Sequence, residues 1–128
     1  MPALVGRWAP VVLWMGIVFF FSSLSRLGPL ARAPDWITHP LEYAVGGACL
    51  CRALAGGGRR TVTARVAMMA TLLATAYGVT DEYHQSFVPG RNSDPADVAK
   101  DLAGAAAGAV LYRRWTTSGR APSEEPTA

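Results

Sequence analysis

Long apolar stretches alternate with short polar ones along this chain. Residues 8–21 include no charged residue and no Ser, Thr, Asn or Gln, and residues 66–79 are also uncharged. A helix at the surface of a soluble protein shows a polar face at every turn, so these stretches favour helices that lie in a membrane. The pattern predicts an all-α membrane protein with four transmembrane helices, at about residues 8–24, 36–55, 62–80 and 96–112.

Composition supports this interpretation. Charged residues make up 16% of the chain, against roughly 25% in a typical soluble domain. A soluble helical bundle is the alternative. A cleaved signal peptide is the alternative for the first span, with Ala31-Arg32-Ala33 as its formal site, but that site lies well past the apolar run. We expect one membrane domain over residues 1–115, and a disordered cytoplasmic tail over 116–128, which is polar and contains proline.

The placement of Arg and Lys predicts the orientation of the spans, because cytoplasmic loops carry an excess of positive residues. With four spans, both termini and the glycine-rich connector share one side of the membrane. That side holds Arg7, Arg52, Arg59, Arg60, Arg65, Arg113, Arg114 and Arg120. The opposite side holds Arg26, Arg32, Arg91 and Lys100. Eight residues against four predict a multi-pass protein of the bacterial cytoplasmic membrane with both termini in the cytoplasm.

The polar segment 81–101 separates the last two apolar stretches and contains recognisable local signals. Residues 88–91 predict a type II turn, with Pro89 and Gly90 at its central positions. Asp94 and Pro95 are typical of a helix start, and Asp97 then falls in the first turn, where the positive helix end favours a carboxylate. In the second span, Pro40 is expected to set the helix start and to leave the preceding histidine at the N-cap.

Polar residues form stripes on three of the predicted helices, because residues four and seven apart share a helix face. All three stripes meet the same, extracytoplasmic end of the bundle, so we predict one polar site there. The stripes are Asp35, His39, Glu42 and Tyr43, if that helix begins before Pro40; Tyr77, Asp81 and His84, with Glu82 and Gln85 one step round; and Asp97, Asp101, Gly104 and Gly108. The last two glycines form a G-x-x-x-G pattern that lets a neighbouring helix approach closely.

The residues of this site fit several kinds of chemistry. The candidates for acid–base catalysis are His39, His84, Asp81 and Glu82, and the candidates for ligand binding are Glu42, Tyr43, Gln85, Arg91, Asp97 and Asp101. Arginine with the two histidines suits a phosphate or carboxylate headgroup, and His with Asp or Glu suits general acid–base catalysis. The same residues would equally form a polar network that only locks the helices together. Whether the protein is an enzyme therefore stays open.

Other functions are disfavoured. Acids and histidines can ligate a divalent cation, but no metal-ligand spacing is present, so no metal site is predicted. Four short spans without an internal repeat argue against a transporter. Neither Ser86 nor Ser93 lies in a motif that would activate a nucleophile. No cofactor motif and no nucleic-acid-binding patch is found. The expected partners are membrane lipid and an envelope lipid or glycopeptide-like ligand, and the oligomeric state is left undetermined.

Two motifs resemble those of VanZ-like membrane proteins. Residues 35–43, D-W-I-T-H-P-L-E-Y, resemble the family element D-K-x-x-H-x-x-x-Y. Residues 77–91, Y-G-V-T-D-E-Y-H-Q-S-F-V-P-G-R, followed by Asp97, Gly104 and Gly108, resemble the second element, Y-G-x-x-D-E-x-x-Q-x-F-x-P-G-R…D-x-x-x-N-x-x-G-x-x-x-G. Ser22-Ser23 also fits the end of the family's first helix, and the likeness covers about residues 15–112.

The resemblance implies a bacterial cell-envelope protein, linked through the family's name to resistance to the glycopeptide antibiotic teicoplanin. It implies no particular reaction. Two positions depart from the family pattern. Trp36 replaces a lysine, which removes a cation from the outer loop, and Asp101 replaces an asparagine, which adds an anion beside Lys100.

Overall fold

The protein consists of four helices in the part of the chain that the structure describes. The structure is a computed structural model, and it describes residues 2–25, 34–58 and 60–119. The helices are α1 (Pro2–Ser23), α2 (Asp35–Leu54), α3 (Ala64–Gln85) and α4 (Pro95–Ser118). No strand occurs within those ranges, which confirms the all-α prediction. Arg26, Arg32, Arg59 and Arg120, the formal cleavage site at 31–33 and the end of the predicted tail lie outside the described residues.

Small residues let α2 and α4 pack with their backbones in contact. A Cβ atom added at Gly104 would overlap the backbone of Pro40, and one added at Gly108 would overlap the carbonyl of Ala44. On the opposite helix, Gly47 lies in the same way against the carbonyl of Ala105. The close approach predicted from the G-x-x-x-G pattern is therefore present, and α2 is the helix that approaches.

The local signals of the segment between α3 and α4 act as the sequence predicts. Gly90 has φ of 79°, the left-handed conformation that a type II turn requires at its third position. The Arg91 amide closes this turn by donating to the Val88 carbonyl at 3.1 Å. Asp94 is the N-cap of α4 and accepts a hydrogen bond from the Ala96 amide at 2.9 Å, and Pro95 is the first helical residue. These contacts fix where α4 begins and place its first turn beside the end of α3.

The start of α2 differs from the prediction. The helix begins at Asp35, one residue before the predicted span and not at Pro40, so His39 lies buried inside the helix and not at its N-cap. The cap is Pro34, whose carbonyl accepts hydrogen bonds from the amides of Ile37 at 2.9 Å and Thr38 at 3.1 Å. Pro40 is thus an internal proline that lacks an amide donor. Its tight packing against Gly104 of α4 is a tertiary contact that the local rule does not include.

The end of α4 also differs. The helix continues to Ser118, past the expected end near residue 112 and into the segment predicted to be a tail. Thr116 explains the continuation, because its hydroxyl is buried, accepts from the Val62 amide at 3.4 Å and donates to the Arg113 carbonyl at 2.9 Å. The last helical turns are therefore tied to the segment that precedes α3.

Among the described helices, α1 differs from the others in its combination of length and apolar composition. Only α1, over Ala3–Ser23, is long and apolar enough to cross a membrane, with a mean hydropathy of 1.8. Only 17% of its apolar window is buried, unlike the core helix of a soluble protein. A signal sequence passes the same test, so α1 alone is weak evidence for a membrane protein. The four-span topology stays a prediction.

Candidate functional site

His39 joins α2 to α4 through two buried carboxylates. Its Nδ1 lies 2.8 Å from Oδ1 of Asp101, and its Nε2 lies 3.8 Å from Oδ2 of Asp97. The two aspartates are four residues apart and therefore share one face of α4. Asp101 is fully buried, and less than a tenth of the surface of His39 and of Asp97 is exposed. Asp101, which stands where the family pattern has asparagine, is thus the residue that contacts the histidine ring most closely.

Glu82 brings α3 to the same point. One of its carboxylate oxygens, one oxygen of Asp97 and one ring nitrogen of His39 all lie within 4.8 Å of one another. Oε2 of Glu82 accepts a hydrogen bond from the Asp94 amide at 2.9 Å, and Oε1 has no hydrogen-bond partner among the described residues. Burial raises the pKa of the Glu82 carboxyl, and the hydrogen bond from Asp94 opposes the rise.

The rest of the polar cluster surrounds these three side chains. Gln85 donates to Oδ2 of Asp81 at 2.9 Å, one turn apart on α3. Glu42, half-buried on α2, is close enough to Asp81 for their charges to interact. Tyr43 is fully buried with its ring 5.5 Å from that of Trp14, in an edge-to-face arrangement. Most of the ten predicted site residues thus lie at one end of the bundle, and whether they form a functional site stays a prediction.

Negative charge exceeds positive charge in this cluster. The buried carboxylates of the described chain are Asp81, Glu82, Asp97 and Asp101. Lys100 pairs with Oδ1 of Asp97 from the edge of the cluster. Arg91, on the turn before α4, interacts with the charge of Glu42, and its Nε is buried without a partner in the described ranges. Four buried carboxylates and the half-buried Glu42 therefore face one lysine, one arginine and one imidazole.

Several buried polar atoms of this region have no hydrogen-bond partner in the described chain: Ser22 Oγ, Tyr43 OH, Asp81 Oδ1, Glu82 Oε1, Arg91 Nε and Asp101 Oδ2. Most buried polar groups in folded proteins are paired, and an unpaired one costs about 1–3 kcal/mol. All six lie at the end of the bundle that holds the polar cluster. These donors and acceptors are therefore left for partners outside the described residues.

His84 is the predicted site residue that the structure places apart from the buried cluster. Its Nε2 lies 3.0 Å from Oγ of Ser23 on α1, and its ring stacks on Phe19 with centroids 4.6 Å apart. Ser23 donates its single hydroxyl proton to the Phe19 carbonyl at 2.7 Å, so it accepts a hydrogen bond from the histidine. This arrangement is not that of a serine activated by a base.

Reasoning from helix faces alone missed the contribution of α1. Ser23 contacts His84, and the buried Ser22 hydroxyl is one of the unpaired groups. The available signal was the Ser22-Ser23 pair at the end of an apolar run. Tyr77, which the sequence places on the polar stripe of α3, also contacts α1, because its hydroxyl donates to the Met15 carbonyl at 2.8 Å.

Comparison with known proteins identifies the family of the chain. The family model VanZ/LLP1 matches residues 7–116, a range that includes α2, α3, most of α1 and α4, and every residue of the cluster. No curated protein and no solved structure gave a match. Because the matched range is most of the chain, this protein belongs to the VanZ/LLP1 family.

Proposed function

We propose that this VanZ-like envelope protein is a multi-pass protein of the bacterial cytoplasmic membrane, with both termini in the cytoplasm and the polar cluster at the extracytoplasmic end. The observation that carries this proposal is the placement of apolar and polar side chains. Large apolar side chains are exposed on every helix, for example Phe20 on α1, Leu41 on α2, Leu72 on α3 and Leu111 on α4. Buried carboxylates lie inside. Exposed apolar patches of this extent favour contact with lipid.

Reporter fusions test the topology. Fusions of a cytoplasmic-only and a periplasmic-only reporter after Gly57 and at the C-terminus should both report the cytoplasm, and a fusion after Asn92 should report the exterior. The eight-to-four distribution of Arg and Lys sets this expectation. A periplasmic signal from the C-terminal fusion would overturn the orientation, and a cytoplasmic signal from Asn92 would overturn the third and fourth spans.

The ligand proposed for the polar cluster is an envelope lipid headgroup or a glycopeptide-like molecule, whose handling contributes to tolerance of drugs such as teicoplanin. The unpaired polar atoms at this end support a ligand. Arg91 supports an anionic group on it, because a guanidinium binds phosphate or carboxylate through two parallel hydrogen bonds. Its Nε is buried and unpaired within the described ranges, and the residue lies on the turn between α3 and α4, outside both helices.

A non-catalytic helix lock is the second candidate function. The pair His39–Asp101 favours it, because it joins α2 to α4, and Glu82 on α3 accepts from the Asp94 amide at the start of α4. In this case the cluster holds the bundle together, and loss of any pair acts only through stability.

Two substitutions separate these functions. Arg91→Lys keeps the charge but loses the planar, two-pronged donor, and Asp81→Asn keeps the shape but loses the charge. If the cluster binds a ligand, Arg91→Lys should accumulate in the membrane and melt as the wild type does, yet lose drug tolerance. Arg65→Lys, at an exposed arginine on the first turn of α3, is the matched control and should keep tolerance. Loss of tolerance only in parallel with loss of protein, for both variants, would support the helix lock.

A further inference from the structure

The geometry points to a site for a divalent transition-metal cation, ligated by Nε2 of His39, one carboxylate oxygen of Glu82 and Oδ2 of Asp97. This inference goes beyond the proposed function, because it depends on the buried geometry alone and not on which envelope ligand the protein handles. The three residues come from α2, α3 and α4.

The first argument is the distance between potential ligand atoms. Ligands of Zn²⁺ in proteins lie at about 2.0–2.2 Å from the ion, so two of them lie at most about 4.4 Å apart. Nε2 of His39 and Oδ2 of Asp97 are 3.8 Å apart, which is within that limit and longer than a hydrogen bond. One carboxylate oxygen of Glu82 lies within 4.8 Å of a ring nitrogen of His39 and of an oxygen of Asp97, so small side-chain rotations bring the three residues to one ion.

The second argument is that each of the three side chains has its other polar atom occupied. Nδ1 of His39 is held by Asp101, Oδ1 of Asp97 by Lys100, and Oε2 of Glu82 by the amide of Asp94. Metal-bound histidines almost always use their second nitrogen in this way, most often on a carboxylate or a backbone carbonyl. With an ion bound, the contact with Asp101 keeps the ring proton on Nδ1, and the lone pair of Nε2 is then directed at the space shared with Asp97.

The third argument comes from Glu82. Its side chain is more than nine-tenths buried, and Oε1 has no hydrogen-bond partner in the described chain. Buried carboxylates that outnumber their cations take up either a proton or a further positive charge. A divalent cation at this point supplies it and also gives the unpaired oxygen a partner.

The donor set selects the class of cation. One imidazole nitrogen and two carboxylate oxygens suit Zn²⁺ and Mn²⁺, whereas Ca²⁺ and Mg²⁺ prefer ligands that are all oxygen. Three protein ligands also leave at least one coordination position open, as in zinc sites that bind water or a substrate. That open position is the feature that would connect the ion to an outer ligand.

The experiment measures binding of Zn²⁺ to the full chain. The protein is purified in detergent with a tag that contains no histidine, stripped with a chelator and dialysed against micromolar Zn²⁺. Metal content and the melting temperature are then measured with and without the ion, because a ligand of the folded state raises its stability in proportion to its affinity and concentration. Co²⁺ replaces Zn²⁺ in a parallel sample, so that the visible spectrum reports the ligand set.

The chain contains two histidines, which provide a matched pair of variants. Wild type and His84→Gln should bind one Zn²⁺ per chain with a rise in melting temperature, and Ca²⁺ in hundredfold excess should not displace it. His39→Gln and Glu82→Gln should bind at least tenfold more weakly. Asp101→Asn, which removes the charge that orients the ring, should weaken binding by 10–100-fold and keep a Co²⁺ spectrum of the same ligand set.

Several results would overturn the site. The first is a wild type that binds no Zn²⁺, which would leave a protonated His39 in an ion pair with the two aspartates. The second is equal binding of Zn²⁺ by His39→Gln and His84→Gln. The third is displacement of Zn²⁺ by Ca²⁺. If His39→Gln does not fold, Glu82→Gln decides the question, because it keeps the shape of the side chain and its contact with the Asp94 amide. Drug tolerance is not a readout here, so failure of the metal site and failure of the proposed function are separate results.

Discussion

The two ends of this bundle use polar groups in different ways. At the end where α2 finishes, side chains bond to backbone groups: Arg7 donates to the Ala53 carbonyl, Arg52 to the Gly6 carbonyl at 3.0 Å, and Tyr112 to the Gly58 carbonyl at 3.1 Å. At the other end, side chains bond mainly to one another, as in His39 with Asp101. We call these the capping end and the acidic end.

Backbone carbonyls that lack a partner within their helix explain two of these contacts. The Ala53 carbonyl lies in the last turn of α2, where the final carbonyls have no helical amide to accept from and a basic side chain is favoured. The Gly6 carbonyl lies four residues before Pro10, which has no amide to donate to it. The acidic end is different, because it buries charges and leaves several polar atoms unpaired in the described chain. A buried ion pair is often no more stabilising than apolar residues of the same size. The contacts of the capping end thus have a clear role in folding, whereas the acidic end holds the groups that we propose bind a ligand.

The largest expected effect comes from removing the histidine at the acidic end. His39→Ala leaves Asp97 and Asp101 buried without the imidazole between them, and loss of one partner of a buried ion pair costs about 3–5 kcal/mol. We expect the free energy of unfolding to fall by that amount, measured by reversible denaturation in detergent. His84→Ala is the control, since that ring is only half-buried and contacts α1. Equal losses from both variants would remove the distinction between the buried cluster and its surroundings.

The next effect concerns the close contact between α2 and α4 at the acidic end. A methyl group at Gly104 would overlap the backbone of Pro40, whereas nothing lies within 4 Å of a Cβ atom at Gly16 in α1. Gly104→Ala should therefore destabilise the protein by about 1–3 kcal/mol through overpacking. Gly16→Ala should leave stability unchanged or raise it by up to about 1 kcal/mol through helix propensity. Thermal melts of the two variants check this, and a stable Gly104→Ala protein would contradict the close packing of α2 on α4.

Much of this arrangement follows from the sequence because helix periodicity is local. The apolar runs predict the four helices, Asp94 and Pro95 predict the start of α4, and the spacing of Asp97 and Asp101 predicts that they share a face. Gly90 predicts its own backbone conformation. Each of these depends on residues within a few positions of one another, so no knowledge of the packing is needed.

The features that could not be predicted depend on contacts between helices. His39 lies inside α2 because Pro34 caps the helix and because Gly104 accommodates Pro40, and only the second of these is a distant contact. The direction of His84 depends on the rotation of α3 against α1, which the α3 sequence does not fix. The proposed metal ligands come from three different helices, so no spacing of residues along the sequence indicates them.

The smallest expected effect tests the capping end, where a matched pair of threonines is adjacent in the chain. Thr116→Val replaces a buried hydroxyl that accepts from the Val62 amide at 3.4 Å, and valine fills the same volume. The bond is long, so we expect a loss of about 0.5–1.5 kcal/mol in the free energy of unfolding, as for one ordinary hydrogen bond. Thr117→Val is the control, because that hydroxyl is exposed and bonds only to carbonyls of its own helix. Neither variant should change Zn²⁺ binding or drug tolerance, since the contacts that they remove lie at the capping end, away from the acidic residues. If Thr116→Val instead abolished tolerance in a protein that still folds, the capping end would carry function as well, and the contrast between the two ends would no longer identify the site.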